Sequence, residues 1–265
     1  LIFGAEAYWV KDNQEKDKTN AHIVLLAKNE NGRRKINGIL SDANEFGYYY
    51  KPRIDEKSIL SLPADDVFVT SACVAFWQYE DDYMEEFVQK LKSHFGANFM
   101  LEVQYHHTDK QKNLNRKIVE LSDKYDIPMI VGMDSHYIYP EQEMERDYIL
   151  EAKGVYYEDE DGWFMDYPDD ETTFKRFVEQ GILTEDQIKQ AMDNTDLLLD
   201  FEDFTINNPV FSRTPKLPSL YDGEHFINGK RLPKLTQEER NKKYLPYSID
   251  DNYGVRPMII IKGDS

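Results

Sequence analysis

Hydrophobic and polar positions along the first 137 residues form a repeating pattern of buried strands and amphipathic helices. Runs typical of strands lie at residues 1–10, 22–29, 67–70, 99–104 and 127–130. Between them, apolar residues recur at helical spacing over residues 32–46, 81–95 and 114–125. From residue 22 onward strand and helix therefore alternate, which favours an α/β fold built on a parallel sheet or a barrel. Residues 11–20 and 48–53 lack either period and predict loops.

The pattern changes beyond Tyr137. An acidic and aromatic stretch at 156–171 predicts an exposed connection. Helical spacing returns at 172–180, where Gly181 predicts the helix end, and a Thr184-x-x-Gln187 capping box predicts a helix running to about residue 199. The sequence thus predicts a barrel portion at 1–155, a connection with flanking helices at 156–206, and an irregular tail or the start of a further domain at 207–265.

Composition narrows the class of protein. The chain has 265 residues, of which 40% are hydrophobic, and it can bury one large core. A single cysteine excludes a disulfide framework and is typical of a reducing compartment, so a cytoplasmic location is expected. No apolar run approaches the roughly 18 residues of a membrane span, and no membrane contact is expected.

The net charge of −18 repels the phosphate backbone of DNA, so free duplex DNA is not expected to bind this chain by itself. Solubility is the ordinary reason for such acidity. A basic docking surface on a partner is the alternative.

Candidate chemistry begins with Asp134 and His136, which follow the apolar run at 127–130. Two residues apart on an extended backbone, they are expected to face the same side. A carboxylate and an imidazole at the carboxyl end of a buried strand are typical of metal and catalytic sites in α/β proteins. An ordinary hydrogen bond at a strand end is the alternative.

Several motifs together resemble one family. The runs HIVLLAKNENG, GYYYKPRID, SAC, LEVQYH and GMDSHY occur in this order, and NTDLLLDF follows. They resemble the polymerase-and-histidinol-phosphatase (PHP) domain of bacterial and phage C-family replicative DNA polymerases, the polymerase III alpha subunit. The resemblance covers about residues 1–200. It implies a distorted seven-stranded β/α barrel in a protein of a bacterial or phage-infected cell.

The resemblance also implies a set of metal ligands, which falls on Glu6, His22, Cys73, Asp134 and His136. Such residues bind zinc, manganese or iron, and carboxylates readily bridge pairs of ions. The alternatives are a capping carboxylate for Glu6, a core histidine for His22 and a small buried apolar side chain for Cys73.

Three further residues lie near these motifs. His106 and His107 follow the strand at 99–104 and are expected behind the ligands or on the surface. Arg53 is a candidate for contact with a phosphate, and an exposed basic turn is the alternative.

Three functions follow from the resemblance. The chain is expected to be the PHP part of a polymerase III alpha subunit, with metal-dependent 3′–5′ phosphodiester hydrolysis as a proofreading activity. Its partners would be the rest of that subunit, with DNA bound only by the whole polymerase. A free-standing metal phosphoesterase and a metal-poor scaffold are the alternatives.

Family members open with an H-x-H motif upstream of the first strand seen here. We therefore expect an N-terminally incomplete domain that is weak or inactive as a phosphodiesterase by itself.

Overall fold

A computed structural model describes residues 1–155 and 162–203, together with short strands at 226–227, 230–231 and 257–260. The chain divides into two compact units, one formed by Leu1–Asp203 with Arg256–Ser265 and the other by Phe204–Val255. In the second unit, β8 (Phe226–Ile227) pairs antiparallel with β9 (Lys230–Arg231). The rest of the predicted 207–265 tail lies outside the described residues, apart from β10 (Pro257–Ile260) in the first unit.

The first unit carries the main sheet and seven α-helices among its described residues. The strands are β1 (Ile2–Val10), β2 (Ala21–Ala27), β3 (Tyr48–Tyr49), β4 (Lys51–Asp55), β5 (Val67–Thr70), β6 (Phe99–Val103) and β7 (Met129–Val131). The helices are α1 (Glu30–Glu45), α2 (Glu56–Leu60), α3 (Asp81–Phe95), α4 (Asp109–Tyr125), α5 (Glu143–Ala152), α6 (Asp170–Gln180) and α7 (Glu185–Asp193). Short 3-10 segments lie at Val74–Phe76, Gly96–Asn98, Pro140–Gln142 and Asn194–Asp200.

The sheet confirms the predicted α/β class but not a wholly parallel arrangement. Its strand order is β3-β4-β1-β2-β5-β6-β7, and β10 also pairs with β1. Strand β2 is antiparallel to both β1 and β5, whereas β5, β6 and β7 are mutually parallel neighbours. The 11–20 connection contains no helix, and a parallel crossover needs a dozen or more residues, so β1 and β2 pair antiparallel.

The predicted loop at 48–53 is wrong, and the predicted exposure of the 156–171 connection fails for some of its described residues, while 156–161 lie outside the described residues. Residues within 48–53 form the β3–β4 hairpin, where Tyr50 takes a left-handed φ of 62° at the turn. Within the predicted acidic connection, Met165 and Asp166 are buried. Helix α5 is an element that the pattern did not predict, because none of its residues is buried and it has no apolar face to reveal its period.

The ends of α3 and α6 and the start of α7 agree closely with the sequence signals, but α7 stops at Asp193, short of the predicted 199, and a 3-10 segment continues to Asp200. Helix α3 spans the predicted residues and stops at Gly96, whose φ of 58° suits glycine. Helix α6 ends at Gly181 in the left-handed conformation, and Thr184 and Gln187 form the predicted capping box of α7. These signals are local hydrogen-bonding patterns, which explains why they can be seen without tertiary information.

The two faces of the sheet bury different partners. On one face, Trp9 of β1 is fully buried and its ring lies 4.4 Å from that of Phe87 in α3. The opposite face carries an apolar cluster at one end, with Phe201 of the chain segment after α7 packed against it. The cluster comprises Ile2, Val24, Leu26, Phe68, Ala72, Met100, Ile130 and Phe201. The candidate site lies on this second face, beyond the apolar cluster.

Candidate metal centre

Glu6 and His22 meet across the antiparallel β1–β2 pair. The register places Tyr8 opposite His22 and Glu6 opposite Val24, so Glu6 and His22 are diagonal neighbours on one face. Glu6 Oε1 forms an ion pair with His22 Nδ1, and the Tyr8 ring contacts the imidazole edge-on at 5.3 Å. His22 stands near the start of its strand, but Glu6 lies in the middle of β1 rather than at a strand end.

Cys73 reaches the same pair from the turn that follows β5. Its Sγ lies 3.7 Å from His22 Nδ1, and one ligand atom from each of Glu6, His22 and Cys73 lies within 4.8 Å of the others. Burial, followed by the charges of Asp134 and Glu6, raises the pKa of the thiol to about 12. Without a cation nearby, this sulfur therefore stays protonated at neutral pH.

Asp134 and His136 form the second group, although not in the way the sequence predicts. The backbone at Asp134 is left-handed, with a φ of 51°, so these two side chains do not share a face through strand alternation. They still approach, with His136 Nε2 3.6 Å from Asp134 Oδ1. Burial alone would raise the pKa of Asp134, but the contact with His136 and the charges of the nearby histidines hold it below its usual range.

The segment after the undescribed residues 156–161 holds this loop in place. The carbonyl of Met165 accepts the backbone N–H of His136 at 2.8 Å, and the carbonyl of Asp166 accepts the Ser135 hydroxyl at 2.8 Å. Asp166 is itself fixed by two 2.8 Å bonds from the Arg176 guanidinium of α6. Helix α6 thus supports the site through a buried bidentate ion pair.

Electrostatics connect the two groups. The charge of Asp134 raises the pKa of Cys73, and the charge of His22 lowers that of Asp134. The cluster of Glu6, His22 and Cys73 therefore interacts electrostatically with the pair of Asp134 and His136.

Glu102 is a further carboxylate of the site that the sequence analysis did not single out. It projects from β6, where Oε2 accepts the Thr70 hydroxyl at 2.7 Å and Oε1 accepts Gln104 Nε2 at 3.1 Å. Burial, with the charges of Asp134 and Glu6, raises the pKa of Glu102 to about 7. Its presence within the LEVQYH motif was the available signal, but a lone Glu in a strand does not show which face it occupies.

His106 is fully buried, and its hydrogen bonding fixes its tautomer. Its Nδ1 accepts the backbone N–H of Phe164 at 3.1 Å, so the ring proton of neutral His106 resides on Nε2. Burial lowers the pKa of His106 to about 4, which keeps the ring neutral. Neither nitrogen then offers a free lone pair to a metal. His107 Nε2 bonds the Arg176 carbonyl at 2.9 Å, so both histidines support the 162–176 region.

Arg53 has a structural role. Its side chain is 2% exposed, and its N–H groups donate to the carbonyls of Asn13, Glu15, Asp17 and Gly47 at 2.8–3.0 Å. The guanidinium of Arg53 is therefore not exposed for the predicted contact with a phosphate. Arg53 instead holds the β1–β2 connection against the β3–β4 hairpin.

The donor set fits a divalent cation. Carboxylate, imidazole and thiolate are ligands of zinc, manganese and iron, and here a carboxylate oxygen, an imidazole nitrogen and the Cys73 sulfur lie within 4.8 Å of one another. The charges of Asp134, Glu6 and Glu102 raise the pKa of the Cys73 thiol. Those of Asp134 and Glu6 also raise the pKa of Glu102. A cation would offset this accumulation of negative charge.

Comparison with known proteins shows what this region is similar to. Residues 1–106 match the family model described as PHP domain. The chain is 32% identical over 157 residues to the DNA polymerase III subunit alpha of Aquifex aeolicus, covering 53% of this chain and 13% of that protein. It is 34% identical over 136 residues to the same subunit of Treponema pallidum, covering 49% of this chain and 12% of that protein.

A phage relative matches more of the chain. The DNA-directed DNA polymerase of Bacillus phage SPbeta is 26% identical over 311 aligned positions, covering 96% of this chain and 22% of the polymerase. The chain therefore spans less than a quarter of the length of each of these three relatives.

No helix among the described residues is long and apolar enough to cross a membrane.

Proposed function

We propose that the PHP domain carried by this chain binds a divalent cation with Glu6, His22 and Cys73, with Asp134 and His136 completing the site. The observation that carries this proposal is the approach of three different ligand types to within 4.8 Å. Zinc, manganese and iron are the candidate ions. A bound ion in such a site would polarise a phosphoester and activate a water molecule.

The residues of the chain have separable parts in this proposal. Glu6 fixes the orientation of His22 by its ion pair. Cys73, whose sulfur lies 3.7 Å from His22 Nδ1, supplies the third ligand. His136 stabilises the charged form of Asp134 and so keeps a second carboxylate available at neutral pH. Substrate would approach from the side of Glu6 and His136, whose side chains are 41% and 44% exposed.

We further propose that the chain works as the PHP region of a replicative DNA polymerase, because the relatives are named as DNA polymerases and residues 1–106 match the PHP family model. The reaction of the site would then be 3′–5′ phosphodiester hydrolysis. The rest of the polymerase would be its partner and would supply the DNA-binding surface, because a net charge of −18 disfavours DNA binding by this chain alone.

Cation binding is the step to test first. Metal-free protein should be titrated with Mn²⁺ and Zn²⁺ by calorimetry, with metal content measured after dialysis. We expect His22→Gln to lose at least about tenfold in affinity, because removing even an outer-shell partner of a metal ligand typically costs about 10- to 100-fold. His94→Gln is the matched control, because His94 Nε2 bonds the Leu62 carbonyl and His94 is not part of the cluster.

Hydrolysis of a chromogenic phosphodiester and of a 3′-labelled oligonucleotide then separates the candidate functions. Turnover of the oligonucleotide that depends on His22 and His136 supports the proposal. Turnover of only small phosphoesters would favour a free-standing phosphoesterase. Equal, weak cation binding by the parent chain and His22→Gln would contradict the metal site and favour a scaffold.

A further inference from the structure

We propose that Glu102, acting through Thr70, is a positioning residue that holds the turn at 71–73 in the conformation that brings Cys73 to Glu6 and His22. The inference rests on the proposed function only in treating Cys73 as a ligand. The position of the turn can be tested without any metal.

The turn needs support because its backbone is unfavourable. Strand β5 ends at Thr70, and Ala72 then takes a left-handed φ of 48° before Cys73 begins the 3-10 segment Val74–Phe76. An alanine resists this region because its Cβ crowds the backbone. Ala72 is also buried, so solvent does not satisfy its backbone groups.

Thr70 supplies the support from one side. Its hydroxyl oxygen accepts the backbone N–H of Ala72 at 3.2 Å, and the same hydroxyl donates to Glu102 Oε2 at 2.7 Å. A hydroxyl has one proton and two lone pairs. Giving its proton to the Glu102 carboxylate therefore orients the Thr70 oxygen to accept from Ala72.

Glu102 supports the turn from the other side through its own backbone. Its N–H donates to the Ser71 hydroxyl at 2.8 Å, and the N–H of Ser71 donates to the Met100 carbonyl at 3.3 Å. The Glu102 side chain is itself confined, with Gln104 bonded to Oε1 and Gly132 directly against it. A single residue of β6 thus bonds both Thr70 and Ser71, the two residues that lead into the left-handed Ala72.

A different explanation is that Glu102 acts only by its charge. It raises the pKa of Cys73, so removing the carboxylate would change the thiol even if the turn stayed in place. Thr70→Val separates the two explanations, since it breaks the link to Ala72 while leaving the Glu102 carboxylate present.

The first experiment uses metal-free protein and the rate at which a neutral disulfide reagent modifies Cys73. Cys73 is the only cysteine in the chain, so the signal has one source. We expect Thr70→Val and Glu102→Met each to raise the rate about tenfold. This is the result if each variant increases the equilibrium constant for local opening of the turn about tenfold. Thr70→Ser should restore the parent rate, and the double variant should exceed neither single variant by much, because both break one chain of bonds.

Thr184→Val is the matched control. It removes the N-cap hydroxyl of α7 and lowers global stability, but it leaves the turn untouched. A similar rise in the Thr184→Val rate would mean that Cys73 reports global opening, which would overturn the proposal. A rise in Glu102→Met alone would assign the effect to charge and would overturn it equally.

The second experiment uses Co²⁺ as the probe, because a thiolate ligand gives cobalt a near-ultraviolet charge-transfer band. We expect the parent chain to show the band, Cys73→Ser to abolish it, and Thr70→Val and Glu102→Met to reduce it, with rescue by Thr70→Ser. Absence of the band in the parent would refute Cys73 as a ligand and therefore the proposed metal site. The modification rates would still test whether Thr70 and Glu102 position the turn. Unchanged band and unchanged rates in Thr70→Val would refute the positioning role and leave the metal site standing.

Discussion

At the scale of single residues, the site depends on close contacts that only particular side chains permit. Glu102 lies against the backbone of Gly132, two residues before Asp134. A Cβ added at Gly132 would come within 1.9 Å of Glu102 Oε1 and 2.4 Å of its Cδ. The glycine of the GMDSHY motif is thus required by the neighbouring strand.

Gly132→Ala is expected to destabilise the protein by about 1 to 3 kcal/mol, because the side chain of Glu102 must move from its bonds to Thr70 and Gln104. Urea unfolding measures the change. Gly38→Ala is the control: it lies within α1 with nothing within 4 Å of the added Cβ, and it should stabilise by about 0.5 to 1 kcal/mol. Equal effects of the two variants would contradict the contact.

The raised pKa of Glu102 makes stability depend on pH. The folded protein holds this proton more tightly than the unfolded chain, whose pKa is near 4.5, while the folded value is about 7. The stability due to this group is therefore greatest below pH 4.5 and falls as the pH rises to 7, by up to about 3 kcal/mol.

Glu102→Gln should remove that fall, which chemical unfolding in EDTA at pH 2 to 8 would reveal. Glu30→Gln provides the opposite case. Hydrogen bonds from Arg33 and Arg34 lower the pKa of Glu30 to about 2, so its stabilisation is present above pH 4.5 and is lost below. If Glu102→Gln kept the parent's profile between pH 4.5 and 7, Glu102 would titrate normally.

At the scale of elements, hydrogen bonds from β4 organise the connection between β1 and β2. Arg53 is paired in register with Tyr8 of β1, and its guanidinium binds three carbonyls of the 11–20 segment. The same connection determines where β2 begins, and hence where His22 stands relative to Glu6.

Arg53→Met should destabilise the protein by about 3 kcal/mol, since it leaves several carbonyl acceptors without their donor. Hydrogen exchange should show lost protection at 11–20 before the rest of the sheet. Arg34→Met is the control, because the Arg34 side chain is 71% exposed and its ion pair with Glu30 should contribute less than about 1 kcal/mol. Comparable losses in both variants would remove the special role of Arg53.

At the scale of the whole molecule, the excess of 50 acidic over 32 basic residues acts on stability as well as on partners. Like charges repel in the compact state and are partly screened by salt. Acidic side chains also surround the candidate metal centre, so the general and the local effects of cations must be separated.

Raising NaCl from about 0.01 to 0.15 M in EDTA should raise the melting temperature by about 2 to 4 °C, as screening shortens the Debye length from about 30 to 8 Å. Calorimetry measures the shift. The parent and Cys73→Ser should respond alike to NaCl, because screening does not need the cluster. A melting temperature that falls over this range would show that favourable ion pairs outweigh the repulsion.

The sequence by itself determined the elements whose signals are local. The span of α3, the left-handed Gly181 and the Thr184–Gln187 capping box are all set within one or two turns of chain. The order of the motifs similarly predicted a resemblance to the PHP domain over about residues 1–200, and the PHP family model matches residues 1–106. Helix α5 was not predicted from the sequence, because none of its residues is buried and its apolar residues do not recur at a clear helical period.

Tertiary structure alone decided how the site is assembled. The β1–β2 register brings Glu6 beside His22, and left-handed turns at Ala72 and Asp134 deliver side chains that strand alternation would have directed elsewhere. Glu102 became part of the site, and Arg53 was excluded from it, by contacts with residues more than 30 positions away along the chain. Such contacts depend on the packing of strands distant in sequence, and no local pattern of residues encodes them.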